Sequence, residues 1–329
     1  MPSDRRTFLA QAAAACAGST LLATGLARAD EPNSRLIIDT HQHLWNLDWQ
    51  HLPWLTGAAE VLRRSYTPRD YAEATKGLNV KAVYMEVDVT PAEETAEAEH
   101  VIGLCRSKQQ QTIAATIGGR PASPDFAAYL KPLAASEFVK GVRQVVHSDD
   151  LKPGYCLQSE FVRSVRLLGE SGLHFDLCMR PTELSDGQKL TELCPDTRFV
   201  VDHCGNADPK AFGKQPSASK TAPSHMADQW KRDLERLATR PNVICKISGI
   251  VARAEAGWTA DDLAPIVNHC LTVFGPDRVV FGGDWPVCLL GGTLRQWIDA
   301  LQQIVGERPL VEQQKLWHRN AAAFYRLKL

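Results

Sequence analysis

The sequence predicts an α/β fold, a (β/α)8 TIM barrel with loop insertions after its first and sixth strands. Three observations carry that prediction. Apolar, strand-like runs recur eight times, at residues 36–43, 80–87, 112–117, 139–145, 174–179, 198–203, 243–247 and 278–281. Amphipathic stretches that open on helix-start residues fill the intervals between them. The runs are mostly continuous rather than alternating in polarity, as expected of parallel strands covered by helices. An open, doubly wound sheet is the competing architecture. It would carry a glycine-rich phosphate loop after the first strand, and residues 44–64 hold none.

Residues 1–29 read as an address rather than as structure. Arg5-Arg6-Thr7-Phe8-Leu9 is a twin-arginine pair running into apolar residues, and an alanine- and leucine-rich stretch continues to Leu26. Ala27-Arg28-Ala29 makes a small-x-small cleavage site before Asp30. A membrane anchor is the alternative, but Gln11, Gly18, Ser19, Thr20 and Gly25 interrupt the ~20 strongly apolar residues a spanning helix needs. The expectation is a bacterial twin-arginine signal peptide that engages the export machinery for folded proteins. It implies a periplasmic or secreted product with no stable membrane insertion after cleavage. Residues 30–329 then form one domain of about 300 residues, close to the ~250 typical of such a barrel plus insertions.

Composition excludes some roles. The net charge is −1 and no run of like charges stands out, so a nucleic-acid or membrane-surface partner has no electrostatic footing. Nine cysteines are present, Cys16 among the leader residues. The others form no CxxC, and several sit inside apolar runs where a thiol behaves as a small hydrophobe. An oxidising compartment permits disulfides, but spacing names no pair; core thiols are the expectation.

The first strand ends in Asp39-Thr40-His41-Gln42-His43. Side chains alternate along a strand, so Asp39, His41 and His43 are expected on one face and Thr40 and Gln42 on the other. Two imidazoles so spaced can converge on a divalent ion or a substrate oxygen. The insertion over residues 44–64 follows, with Trp45, Trp49 and Trp54. Thr67-Pro68 starts a helix, Thr90-Pro91-Ala92-Glu93 reads as a capping box, and Ser123-Pro124 and Thr259 with Asp262 start two more. Residues 207–224, rich in Pro, Ser, Lys and Ala, form the second insertion.

In such barrels the chemistry lies at the C-terminal ends of the strands, which turns position into a filter. The first strand offers His41 and His43, the second Glu86 or, just beyond it, Asp88, and the fourth Arg143 and more loosely His147. Met179 and Arg180 close the fifth, Asp202-His203-Cys204-Gly205 the sixth, Lys246 and Ser248 the seventh, and Gly282-Gly283-Asp284-Trp285 the eighth. His174 opens its strand and belongs at the opposite end of the barrel. His100, His225, His269 and His318 fall in helices or insertions and read as structural or exposed.

The motifs DTHQHLW, FVVDHCG, CKISG and FGGDWPV, in that order at strand ends, together resemble the amidohydrolase-related (amidohydrolase 2) family, and within it the sugar-lactonase, fuconolactonase-like branch. The resemblance runs from about Leu36 to the C-terminal NAAAFYRL. It implies a carboxylic-ester hydrolase that opens a lactone of a sugar acid or related carboxylated ring, a small-molecule substrate. It also implies a site built on His41, His43, His203 and Asp284. One departure matters. Metal-dependent relatives place a further histidine after the fifth strand or a carboxylated lysine on the fourth, where this chain has Met179 and Arg143. A guanidinium cannot ligate a cation and repels one. Two-metal chemistry is therefore not expected. A single Zn²⁺ held by His41, His43, His203 and Asp284 and a metal-free site both stay open.

In either case Asp284 is expected to take the proton of the attacking water. The three histidines would donate to the carbonyl oxygen if no metal polarises it. Arg143 would bind a substrate carboxylate or hydroxyl, or support the oxyanion, with Glu86 and Lys246 as further substrate contacts. Trp45 and Trp285 are expected at the pocket rim, where an aromatic face suits the C–H face of a sugar. The alternatives are a zinc-dependent decarboxylase of the same fold and a protein that captures a sugar acid without chemistry.

Overall fold

Eight parallel strands follow one another in chain order around a single sheet in this computed structural model: β1 (Leu36–Gln42), β2 (Asn79–Met85), β3 (Thr112–Gly118), β4 (Val139–Val145), β5 (His174–Cys178), β6 (Arg198–Val201), β7 (Val243–Ile247) and β8 (Val279–Phe281). The structure describes residues 35–108, 110–148, 150–213 and 221–329. The leader expected over residues 1–29 lies outside the described residues, as does part of the second insertion.

Neighbour pairs with neighbour from β1 to β8, and the ring closes at the seam between the first and last strands. There Gln42 bridges Trp285 in parallel, His43 N donates to Trp285 O at 2.8 Å, and Thr40 Oγ1 donates to Phe281 O at 2.7 Å. This is the (β/α)8 TIM barrel the repeat predicts, not an open sheet. Helices such as Glu94–Ser107, Ser159–Glu170, Ala227–Ala238 and Ala260–Phe274 lie between successive strands. Ile38, Val83, Ala114, Val200, Ile244 and Val280, one from each of six strands, meet inside the ring. Ala321 and Tyr325 near the C-terminus pack against them from one end. No helix among the described residues is long and apolar enough to cross a membrane.

β1 departs from simple alternation. Its pairing with β2 slips between Asp39 and Gln42, as expected where an extra residue bends a strand. Asp39 therefore does not share a face with His41. Its carboxylate accepts from Gly283 N at 2.6 Å, from His41 N at 2.9 Å and from Tyr71 Oη at 2.8 Å, and so ties β1 to the β8 loop and to helix Pro68–Ala74. Gly283 permits this approach: a Cβ there would lie 2.4 Å from Asp39 Oδ2.

Capping signals were legible in part. Thr67 with Asp70 and Thr259 with Asp262 form capping boxes. Thr90 with Glu93 does not; Pro91–Glu93 is a short 3-10 turn, and the Glu93 carboxylate instead accepts from His51 N at 2.8 Å. Ser123 Oγ accepts from Asp125 N, and that helix begins at Phe126. All eight described cysteines are buried and unpaired, as core thiols.

Candidate active site

The strand ends put four of the predicted residues together. Asp284 Oδ1 lies 3.7 Å from His41 Nε2 and 3.6 Å from His43 Nε2, and the His41 and His203 rings are 4.4 Å apart. His43, His203 and Asp284 line a cavity of about 500 Å3, together with Trp54, Asp88, Arg143 and others. Asp88, His203, Asn206 and Asp284 all line it and all hold left-handed backbone, with φ of 51°, 53°, 54° and 53°. For residues with a Cβ this conformation costs roughly 1–3 kcal/mol each and recurs at functional sites. Gly249, with φ of +70°, lets the end of β7 touch His203, where a Cβ would sit 2.3 Å from the ring Nδ1.

Close polar partners orient the three rings. His43 Nδ1 donates to the Met85 carbonyl at 3.0 Å, and its Nε2 faces Asp284. His41 Nδ1 lies 3.2 Å from Lys246 Nζ and its Nε2 3.3 Å from Arg143 Nη1, two groups that can only donate, while Nε2 also faces Asp284. His203 Nδ1 pairs with Ser248 Oγ at 3.0 Å.

Beneath these residues runs a buried ladder of charge. His174 Nε2 meets Asp176 Oδ1 at 2.9 Å, and Lys246 Nζ lies 2.7 Å from Asp176 Oδ2 and 2.8 Å from Asp202 Oδ1. Arg143 Nη1 lies 3.7 Å from Asp202 Oδ2, while its Nε and Nη2 donate to Glu86 Oε1 and Glu86 O. His174 is thus a paired core histidine at the start of β5.

Charges follow from these surroundings. Burial pushes the His41 imidazole well below its ordinary value, helped by Lys246, and takes His203 down to about 3 despite Asp284 beside it. Burial alone would raise Asp284, but His203, a His43 hydrogen bond and Arg143 hold its carboxyl below the ordinary value. Desolvation acts against the Arg143 charge and is overcome by Glu86 and Asp202. Near neutral pH the site therefore presents an ionised carboxylate beside the neutral imidazoles of His41 and His203, with a fixed cation alongside.

Several predicted contacts fall elsewhere. Lys246 is fully buried on Asp176, Asp202 and His41 and does not line the cavity, so it is not a substrate contact. Glu86 is likewise buried against Arg143 rather than facing the cavity. Trp285 packs edge-on against Tyr66 and Tyr71, and Trp45 against Tyr66 and Trp54; both form loop core rather than rim. The aromatic that faces the cavity is Trp54, anchored by Nε1 donating to Val87 O at 2.8 Å. Strand-end position names Asp202 but does not single out Asp176, Asn206 or Arg253. For Asp176 a signal existed: an acid in the middle of apolar β5 needs a buried cation, and β7 offers Lys246.

The donor set suits one small divalent ion. Ligand atoms of His41, His203 and Asp284 lie within 4.8 Å of one another and are buried, and the Met85 carbonyl orients His43 as an outer partner orients a metal-bound imidazole. His41 would join through Nε2, with its Nδ1 toward Asp202 Oδ1 at 3.6 Å. A second group, Cys178, Asp202 and His203, lies against the Arg143 guanidinium, which disfavours a cation there.

Residues 38–327 match the Amidohydrolase (Amidohydro_2) family. The chain belongs to the amidohydrolase family. This amidohydrolase is an enzyme with hydrolase relatives along its length. It is 27% identical over 300 residues to an L-fucono-1,5-lactonase of Burkholderia multivorans, covering 89% of this chain and 96% of that one. It is 26% identical over 226 residues to an L-rhamnono-gamma-lactonase of Scheffersomyces stipitis, covering 62% and 64%. A zinc-bound amidohydrolase structure from Burkholderia multivorans shares its fold, with a TM-score of 0.76 at 24% identity over 89% of this chain and 100% of that chain.

Proposed function

We propose that this amidohydrolase opens a lactone by water attack, with Asp284 as general base. The observation that carries the reading is one ionised carboxylate, bracketed by His41 and His43, at the wall of a cavity that also presents a fixed guanidinium. The lactonase relatives support the substrate class.

Asp284 takes a proton from water as its oxygen bonds to the ring carbonyl carbon. Arg143, held by Glu86 and Asp202, receives the developing oxyanion; a well-placed donor of this kind is worth about 3–4 kcal/mol. His41 and His43 flank the carboxylate through Nε2, and Lys246 holds the His41 ring in place at Nδ1. Collapse of the oxyanion breaks the ring C–O bond. The proton on Asp284 passes to the departing oxygen, and the product acid later releases its own to solvent. A ring ester is more reactive than an amide, so this set is chemically sufficient. If bound by His41, His43, His203 and Asp284, a zinc ion would supply carbonyl polarisation and a more acidic water.

Lactone panels followed by pH-stat, before and after exhaustive chelation, test reaction class and metal dependence together. Asp284→Asn should lower kcat by about 10²–10⁴-fold. Unaltered turnover in that variant would remove Asp284 as the base. Activity lost on chelation and restored by zinc would assign the metal, and decarboxylation of a carboxylated ring with no lactone opening would replace the hydrolase reading. Export is part of the proposal: the twin-arginine leader supports a periplasmic or secreted enzyme, and Arg5→Lys with Arg6→Lys should trap it in the cytoplasm on fractionation.

A further inference from the structure

Arg143, the cation the sequence offers first to a substrate carboxylate, is already compensated by Glu86 and Asp202. A second guanidinium is not. Arg253, in the turn Val251–Arg253 after β7, lines the cavity, and among the described residues its hydrogen-bond partner is an amide rather than a carboxylate. Its Nη2 donates to Asn206 Oδ1 at 2.9 Å. Asn206 is buried, and its own Nδ2 donates to Met179 O at 2.7 Å, which fixes the amide with its oxygen toward Arg253. Among the described residues the guanidinium is thus held by one nitrogen, leaving its other N–H groups for a ligand.

A recess of about 200 Å3 opens beside it, sharing Arg253, Asn206 and His147 with the main cavity and bounded also by Arg180 and Thr182. Arg180 pairs with Glu183 at 3.0 Å. Burial takes the His147 imidazole down to about 4, reinforced by Arg253, Arg143 and Arg180, so that side chain is neutral near pH 7. The described lining of the recess therefore carries net positive charge, while the carboxylates of Asp88 and Asp284 lie on the main cavity.

We infer that this recess receives an anionic substituent of the substrate, a carboxylate on the lactone side chain, with Arg253 as its main contact. The inference rests on the lactone reading of the adjoining site and narrows it to acidic lactones. A charge-assisted contact of this kind is worth about ten- to a hundred-fold in affinity.

Galactonolactone and galactarolactone test it, because they differ in a hydroxymethyl group against a carboxylate. The wild-type enzyme should favour galactarolactone by at least about ten-fold in kcat/KM, mainly through KM. Arg253→Ala should lower kcat/KM for galactarolactone at least ten-fold more than for galactonolactone, and Arg253→Lys should fall between. Equal losses for the two lactones, or no wild-type preference, would overturn the proposal. Calorimetric titration of the same two lactones into Asp284→Asn protein, with and without Arg253→Ala, separates this from the chemistry. If the wild type opens neither lactone, the hydrolase reading fails, yet tighter binding of galactarolactone that Arg253→Ala abolishes upholds the anionic recess. No binding of galactarolactone at millimolar concentration sinks the recess whatever the turnover.

Discussion

Replacing Lys246 with methionine asks whether that residue serves the substrate or the scaffold. In the structure its ammonium is fully buried, 2.7 Å from Asp176 Oδ2, 2.8 Å from Asp202 Oδ1 and 3.2 Å from His41 Nδ1. Methionine keeps most of the volume and removes the charge. Two carboxylates are then left without their shared cation in a dry interior, a loss that typically costs about 3–5 kcal/mol. A chain of about 300 residues unfolds with an entropy of roughly 0.6 kcal/mol/K, so the melting temperature should fall by about 5–8 °C. His41 also loses the donor at Nδ1 that holds its ring beside Asp284, and kcat should fall with little change in KM. Differential scanning calorimetry and lactone kinetics on the same protein read both effects. Adding Asp176→Asn, which removes one stranded charge, should recover part of the melting temperature without restoring kcat. A Lys246→Met protein that melts within about 1 °C of wild type while its KM rises ten-fold would refute the argument, because Lys246 would then be touching substrate.

Two further outcomes follow from the same geometry. Burial pushes the Glu97 carboxyl up to about 8 from an ordinary 4.5, even though Tyr84 Oη and Val87 N donate to it. The folded state holds this proton more tightly than the unfolded chain, so stability is fullest below about pH 4.5 and is lost as pH rises toward about 8. Thermal melts of Glu97→Gln across that window should show a shallower decline than wild type; parallel curves would exclude Glu97 as the source. Trp54→Ala should raise KM several-fold with a modest change in melting temperature, since Trp54 faces the cavity. Trp285→Ala should instead cost about 3–5 kcal/mol of stability, because that ring is packed between Tyr66 and Tyr71. The reverse pattern would put the rim at Trp285.

Position along each strand was readable without coordinates. Apolar runs bounded by turn and capping residues located eight strands, and the rule that chemistry gathers at their C-terminal ends selected His41, His43, Arg143, His203 and Asp284 from a chain with many other polar groups. Periodicity failed where the backbone is irregular. The slip in β1 sends Asp39 toward Tyr71 and His41 inward, which strict alternation does not foresee. The tryptophans were misplaced for another reason: a loop sequence does not say which ring meets the cavity and which meets another ring.

What the sequence determined by itself is therefore the barrel and the ends of the strands where the imidazoles and Asp284 stand. Hydrophobic period and turn chemistry are local properties, and they survive translation from residue order to strand order. Only the tertiary structure decided the compensation of charge. Lys246 pairs with Asp176 and Asp202 across gaps of 70 and 44 residues, Arg143 with Glu86 across 57, and Arg253 meets an amide instead of an acid. Whether a buried cation is free to bind a ligand depends on which carboxylate the fold brings within a few ångströms of it, and strand positions alone do not encode that distance.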